Sequence, residues 1–445
     1  MLPIKDSNGT IFRGCRRCCT NWANAAGCWT PCCVDCSAGA GVIINLSNQT
    51  EAFIVTGGTS ADTITTGNGA DTITGGNGAD IISAGGGIDT INGFVGADTV
   101  DGGAQTDTIV LTGTSADLNA AANGDIVNVE AVSAAGAAGS VTIDLHLQTE
   151  GFTITGGTSA DTITGGAGVD SISAGAGNDF INGFVGADTV DGGTNTDTIF
   201  LDATSTDLNA AINTQIVNVE EVNASGASAD VTVDLHLQTE GFIITGSAFN
   251  DIITGGAAAN AITAGAGNDT VTGGAGNDTL FGSGDDDVLE GLGGNDTING
   301  GTGNDTVSYA NAAAGVTVDL ALTTQQNTVG AGLDTITLTE NLTGSGFADT
   351  LHGSSIDNTL TGGAGNDAFI FNTGDAHDTI ADFDAGASVS DVLDLRTWGF
   401  GDFSEVTDLA TDVGADMTIN FGGGNTLTLI GVNKADLVAN DFLLA

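Results

Sequence analysis

Residues 57–101 read GGTSADTIT (57–65), TGNGADTIT (66–74), GGNGADIIS (75–83), AGGGIDTIN (84–92) and GFVGADTVD (93–101), one nine-residue unit written five times. Asp62, Asp71, Asp80, Asp89, Asp98 and Asp107 follow one another at intervals of nine, and two residues beyond each stands Ile64, Ile73, Ile82, Ile91, Val100 or Ile109. A regular helix does not fit a unit with up to three glycines in nine and β-branched residues at its apolar position. The glycine half reads as a tight turn with positive φ and close backbone approach. The Asp-x-Ile-x half reads as a short strand with the aliphatic side chain inward. Two units then make one 18-residue coil, so Ile64 is expected to stack on Ile82 and Ile73 on Ile91, in parallel rungs about 4.8 Å apart. A single coil buries almost nothing, so several must stack before any is stable. The predicted fold is an all-β parallel β-roll, or β-solenoid.

The unit returns in three further blocks. The second carries Asp161, Asp170, Asp179, Asp188 and Asp197; the third Asp251, Asn260, Asp269, Asp278, Asp287, Asp296 and Asp305; the short fourth Asp349, Asn358 and Asp367. A longer period overlies the short one. IDLHLQTEGF at 143–152 recurs as VDLHLQTEGF at 233–242, an earlier relative INLSNQTEAF lies at 44–53, and a divergent one spans 316–350. These spacers alternate polar and apolar residues and are expected to continue the solenoid with wider rungs. DLNAA at Asp117 and Asp207 reads equally as a helical turn or a bend. The organisation is a Cys-rich segment 1–40, strands and first block 41–110, spacer 111–155, second block 156–200, spacer 201–245, third block 246–307, divergent spacer 308–348, and a last section 349–445 of final units and a β cap.

Composition states the chemistry. The 445 residues include 56 acidic and 6 basic ones, with a formal net charge of −50, and no lysine or arginine lies between Cys18 and Leu395. Nucleic acid and anionic membrane surfaces are excluded as partners, because both would be repelled. No window approaches the length of a transmembrane span. Within the blocks no salt bridge to lysine or arginine can neutralise the aspartates, so they must be exposed, protonated or metal-bound. Stacked like charges at this spacing repel unless neutralised. A carboxylate beside a glycine turn whose carbonyls face the gap between coils is an oxygen site for a hard cation, and about six to eight oxygens in adaptable geometry is calcium chemistry. Zinc has no histidine or cysteine to bind in the first three blocks. The expected metal residues are Asp62, Asp71, Asp80, Asp89, Asp98, Asp161, Asp170, Asp179, Asp188, Asp251, Asp269, Asp278, Asp287, Asp296, Asp305, Asp349 and Asp367. Asn260 and Asn358 replace the carboxylate, and Gln105 and Asn195 replace a turn glycine before Asp107 and Asp197; these positions are expected to bind weakly or end a row.

GGxGxDxUx, with U a large aliphatic residue, resembles the calcium-binding nonapeptide of the RTX, or hemolysin-type, repeat proteins exported by bacterial type I secretion. GGAGNDTL at 273–280 and GGTGNDTV at 300–307 are near-ideal copies. Residues 367–395, DAFIFNTGDAHDTIADFDAGASVSDVLDL, followed by MTINF and NTLTLIGV, resemble the C-terminal region of serralysin-type members. That resemblance implies a last calcium half-turn with Asp378 and Asp382, an aspartate-phenylalanine motif at Asp382 and Phe383, hairpins capping the roll, and an uncleaved export signal in Asp441-Phe-Leu-Leu-Ala. It implies a secreted extracellular product and the type I secretion machinery as a partner, while the rows of paired units give roughly ten to fifteen calcium ions.

No enzyme is read in the chain. HExxH, GxSxG and GxxxxGK[ST] are absent, and the strict spacing assigns the aspartates to calcium before acid–base work. His146 and His236, beside Asp144 and Asp234, read as solvated residues copied with the repeat rather than as a catalytic pair. The expected role is structural or adhesive; the alternatives are the carrier part of a larger exported enzyme and a module binding extracellular matrix or cell-surface glycan. Seven cysteines, Cys15, Cys18, Cys19, Cys28, Cys32, Cys33 and Cys36, fall within 22 residues. Zinc, disulfides with one thiol left over, and a non-functional leader fused to the array all remain open for them.

Overall fold

The computed structural model describes residues 33–36, 41–386 and 390–445, with backbone alone for Ile4–Lys5, Ile11–Phe12, Arg16–Arg17 and Cys32. Each nonapeptide contributes a strand that is often only three residues long, such as Thr63–Thr65 and Thr72–Thr74, whose middle residue is buried while its neighbours lie nearer solvent. That alternation follows from the two-residue period of a strand. Threonine, β-branched and hydroxyl-bearing, suits the outer positions.

The chain divides into two units, residues 1–200 with 205–221 and residues 201–204 with 222–445. In the first, one face of parallel strands runs from Cys32–Asp35 to Ile216–Val217, and the opposite face holds the strands from Ile43–Asn45 to Ile126–Val127 and from Thr142–Asp144 to Thr198–Phe200. Register follows the 18-residue coil. Ile64 pairs with Ile82, and Ile73 with Ile91. The spacers are wider rungs of the same solenoid: Ile109 pairs with Val132, Val132 with Ile154, and Ile143 with Ile163. DLNAA resolves into short helices, a 3-10 turn at Leu118–Ala120 and an α-helix at Thr206–Ala210 whose N-cap Ser205 accepts the Leu208 N–H. Each drives one buried leucine, Leu118 or Leu208, into the core.

In the second unit the same geometry stacks Ile262 on Leu280 and Ile298 in one face, and Ile253 on Val271 and Leu289 in the other. A third run of strands extends from Thr317–Asp319 through Thr350–His352, Ala368–Ile370 and Val392–Asp394 to Phe442–Leu443. The solenoid leaves an open sheet edge, which the expected hairpins meet. Ala410–Val413, Asp416–Gly422 and Asn425–Leu429 are antiparallel, and the last of them pairs in parallel with His377–Ile380. Covering an edge in this way removes a template for further strand pairing. Phe371, Trp398, Phe400 and Phe421 pack together beside it, with Trp398 and Phe421 ring centres 4.6 Å apart.

Glycine is required where one coil's turn meets the next. Gly76 sits at φ +110°, and a β-carbon there would collide with the carbonyl oxygen of Gly58. Substitution would be strained twice over, by conformation and by contact. At Gln105 and Asn195 non-glycine residues hold the same left-handed backbone, at φ 83° and 90°. Cys33 and Cys36 each take part in a disulfide bond. The side chains of Cys15, Cys18, Cys19, Cys28 and Cys32 lie outside the described residues.

Ile163 is fully buried between Ile143 and Ile181. Ile163→Ala is expected to lower stability by about 2–5 kcal/mol, whereas Thr162→Val on the outer face should change it by no more than about 0.5 kcal/mol. Denaturant unfolding of both variants in saturating calcium checks the pair.

Candidate metal centre: rows of buried carboxylates

Each block aspartate lies at the junction of turn and strand, two residues before the buried aliphatic. There its carboxylate points along the solenoid axis and meets the neighbouring coil. Oδ1 of Asp80 accepts the backbone N–H of Asp62 at 2.8 Å, and Asp98 does the same for Asp80 at 2.9 Å. In the parallel row Asp71 accepts from Phe53, Asp89 from Asp71 and Asp107 from Asp89, at 2.7 to 2.8 Å. The second block repeats this: Asp161 accepts from Val141, Asp179 from Asp161 and Asp197 from Asp179, while Asp170 accepts from Phe152 and Asp188 from Asp170. In the third, Asp251, Asp269, Asp287 and Asp305 form one row, and Asn260, Asp278 and Asp296 the other. Asp349 accepts from Val316, Asp367 from Asp349, and Asp378 from Asn358.

The second oxygen divides the aspartates into two classes. At Asp62, Asp161, Asp170, Asp251 and Asp349 Oδ2 accepts a turn N–H four residues upstream, from Gly58, Gly157, Gly166, Ser247 and Ser345. Asp98 and Asp188 take theirs from Val95 and Val185. At Asp80, Asp89, Asp107, Asp179, Asp197, Asp269, Asp278, Asp287, Asp296, Asp305 and Asp378 Oδ2 is buried with no hydrogen-bond partner. A buried charged oxygen without a partner is among the costliest groups a fold can carry. Asp382 stands apart from the rows, its two oxygens accepting the Gly362 and Gly363 N–H groups at 2.8 Å.

Several acidic residues outside the expected set belong to the rows. Glu130, Glu220 and Glu340 accept the N–H groups of Asp107, Asp197 and Asp305, closing one row each. Asp334 accepts from Asp296, and Asp391 from Asp367. The sequence carries their signal: each stands two residues before a buried aliphatic, Val132, Val222, Leu342, Ile336 or Leu393. Where weak binding or the end of a row is expected at Asn260, Asp107 and Asp197, the rows do not end. The Asn260 row continues through Asp278 and Asp296 to Asp334, and the other two run one rung further, to glutamate. Gln105 and Asn195 permit this because they adopt the turn conformation a glycine would.

Electrostatics follow from the burial. Desolvation is the main force raising these carboxyls. Charged neighbours in the row add to it, while the donated N–H groups pull the other way: Asp89, Asp269 and Asp296 are pushed up to about 7, and Asp80, Asp197 and Asp287 to about 6. Asp378 is pushed up to about 8, chiefly by burial. Two carboxylates about 5 Å apart repel by about 3 kcal/mol at an effective dielectric of about 20. A bound cation would remove both costs.

The donor set fits such a cation. Among the described residues no three His, Cys, Asp or Glu side chains converge on one point. A metal here would therefore draw most of its ligands from turn carbonyls, joined by orphaned Oδ2 atoms, which is an all-oxygen set for a hard ion. His352 is a protein-borne counter-ion instead. Although burial disfavours its charge, hydrogen bonds to Asp319 at 2.8 Å and Asp375 at 3.1 Å raise it to about 9. His146 and His236 each sit exposed, with Nδ1 2.7 Å from Oδ1 of Asp144 and Asp234 respectively.

A parallel β-solenoid with carboxylates in register between its coils is the class this geometry defines. Residues 56–91, 74–109, 153–181, 164–199, 243–271, 272–307 and 343–379 match the RTX calcium-binding nonapeptide repeat, and these segments of the chain are such repeats. No curated protein matches the chain. Among solved structures it is similar to the extracellular lipase LipA from Serratia marcescens, at 16% identity and a TM-score of 0.18, over 78% of this chain and 45% of that one. A superposition of that quality carries no argument about activity, and the chain spans less than half of that lipase's length.

The raised carboxyls predict a pH dependence of the metal-free chain. Their folded values of about 6 to 8 exceed the ordinary aspartate value of 3.8. Their stabilising contribution is therefore complete below about 4 and lost as pH rises through the range of about 6 to 8. In chelator, far-UV circular dichroism should show more β structure at pH 5 than at pH 8. Equal spectra at both pH values would contradict the burial assigned to these groups.

Proposed function

We propose that this chain is a secreted structural or adhesive protein whose solenoid folds when calcium enters the rows of carboxylates outside the cell. The observation that carries the reading is the set of buried Oδ2 atoms without a partner, repeated at one place in coil after coil. Calcium, when bound, supplies positive charge and accepts several oxygen ligands at once. The chain's own part is to hold Oδ1 on the neighbouring coil's N–H, so that Oδ2 and the turn carbonyls face the gap together. At low cytosolic calcium, repulsion along the rows keeps the coils apart; at millimolar calcium the ions stabilise only the stacked state and draw the equilibrium towards it. Export by a type I secretion machinery suits a chain that stays unfolded until it leaves the cell, and rests on the resemblance of residues 367–395 and 441–445 to such proteins. No helix among the described residues is long and apolar enough to cross a membrane. The reading assigns the chain no catalytic role. An ordered acidic scaffold in matrix or at a cell surface is the use that rigid repeated coils serve best.

A calcium titration of the full chain by circular dichroism, with magnesium as control, tests this. A cooperative gain of β signal at about 0.1–10 mM calcium, absent with magnesium, is expected. A chain already folded in chelator at neutral pH, and unchanged by calcium, would sink the proposal.

A further inference from the structure

Asn260 occupies a row position held elsewhere by aspartate, and its amide does what no carboxylate can. Its Oδ1 keeps the usual role, accepting the N–H of Phe242 at 3.0 Å and of Gly256 at 3.3 Å. Its Nδ2 is buried among four oxygens: the carbonyls of Gly256 at 3.1 Å, Ala258 at 2.7 Å and Gly273 at 3.1 Å, and Oδ1 of Asp278 at 3.1 Å. The opposite amide orientation would set oxygen against all four. The two N–H groups can thus satisfy oxygens of both turns, one on each side of the gap.

The place is equivalent to that of an orphaned carboxylate oxygen. A β-carbon on Gly282 would run into Asp287 Oδ2 and the Gly300 carbonyl oxygen together. On Gly255, at the same distance before Asn260, it would run into Asn260 Nδ2 and the Gly273 carbonyl oxygen. Where Asp287 leaves an unpartnered oxygen, Asn260 presents donors. An amide carries no charge to repel Asp278, and its hydrogens meet the lone pairs that a cation would otherwise collect.

We infer that Asn260 is a built-in replacement for one metal ion: the gap between the turn at 256–260 and the turn at 273–278 is closed by hydrogen bonds and takes no calcium. This deepens the calcium reading and rests on it. The row is continuous because the amide ties its two coils whether or not metal is present. Asn260 is then a rung held in register independently of calcium, and restoring the carboxylate opens a metal site at that gap.

Counting bound ions by native mass spectrometry at saturating calcium tests it, comparing the unaltered full chain with Asn260→Asp and Asn260→Ala. Asn260→Asp should bind one ion more than the unaltered chain. Asn260→Ala should bind the same number and need more calcium to fold, with a midpoint raised roughly 1.3- to 2-fold for the lost hydrogen bonds. An unaltered chain that binds calcium while Asn260→Asp binds no more of it overturns this inference and leaves the wider reading standing. So does an unmoved midpoint in Asn260→Ala. A chain that binds no calcium in any form overturns the calcium reading, and this inference falls with it.

Discussion

One carboxylate oxygen takes a hydrogen bond from the coil below, and the other is buried with nothing to meet it. The rest of the structure depends on that division of labour. The Oδ1 bond sets the distance between coils and the register of the row, since within a block an aspartate reaches the N–H of the row residue 18 positions earlier, and the first of a block reaches back 20 or more. The Oδ2 orphan makes the same stack unfavourable without a counter-charge. Register and charge sensitivity therefore meet in the same side chain, and Asn260 keeps the first while losing the second.

The surroundings are arranged around this constraint. Glycine turns let one coil's carbonyls approach the next closely enough to share a ligand. The single buried aliphatic of each strand supplies apolar burial of about 1.5–3 kcal/mol, which becomes effective only when coils stack. Rows close where a group other than metal can serve the last carboxylate. Asp334 Oδ2 receives the Tyr309 hydroxyl at 3.0 Å and that of Thr328 at 3.1 Å, and Asp391 Oδ2 receives the Asp384 N–H at 2.8 Å. These substitutes lie in the second unit, as do Asn260 and His352. The first unit's blocks contain no lysine, arginine or histidine, so no protein-borne cation within them can offset their charge.

Much of this was legible in the sequence, because the nine-residue period and the two-residue lag from acid to aliphatic translate directly into coil and register. Ile64 on Ile82 and Ile73 on Ile91 follow from counting alone. Glu130, Glu220, Asp334 and Glu340 lie in spacers where the nine-residue period slips, and only the lag of two marks them there. The two classes of aspartate could not be read from sequence. Asp62 and Asp80 occur in nearly identical units, yet only the first has a turn N–H, that of Gly58, turned towards Oδ2. That difference belongs to the geometry of the individual turn, which the repeat does not encode. At Asn260 the lost charge points to weak binding or a row's end, and the sequence does not show that a donating amide can hold the row together.

The most direct test is diffraction from crystals grown in calcium, with an anomalous difference map calculated along the rows. The account predicts ordered peaks beside Oδ2 of Asp80, Asp179 and Asp287, each bridging to turn carbonyls of the adjoining coil, and none beside Asn260. Rows that hold only water, with calcium confined to exposed surface carboxylates, would contradict it.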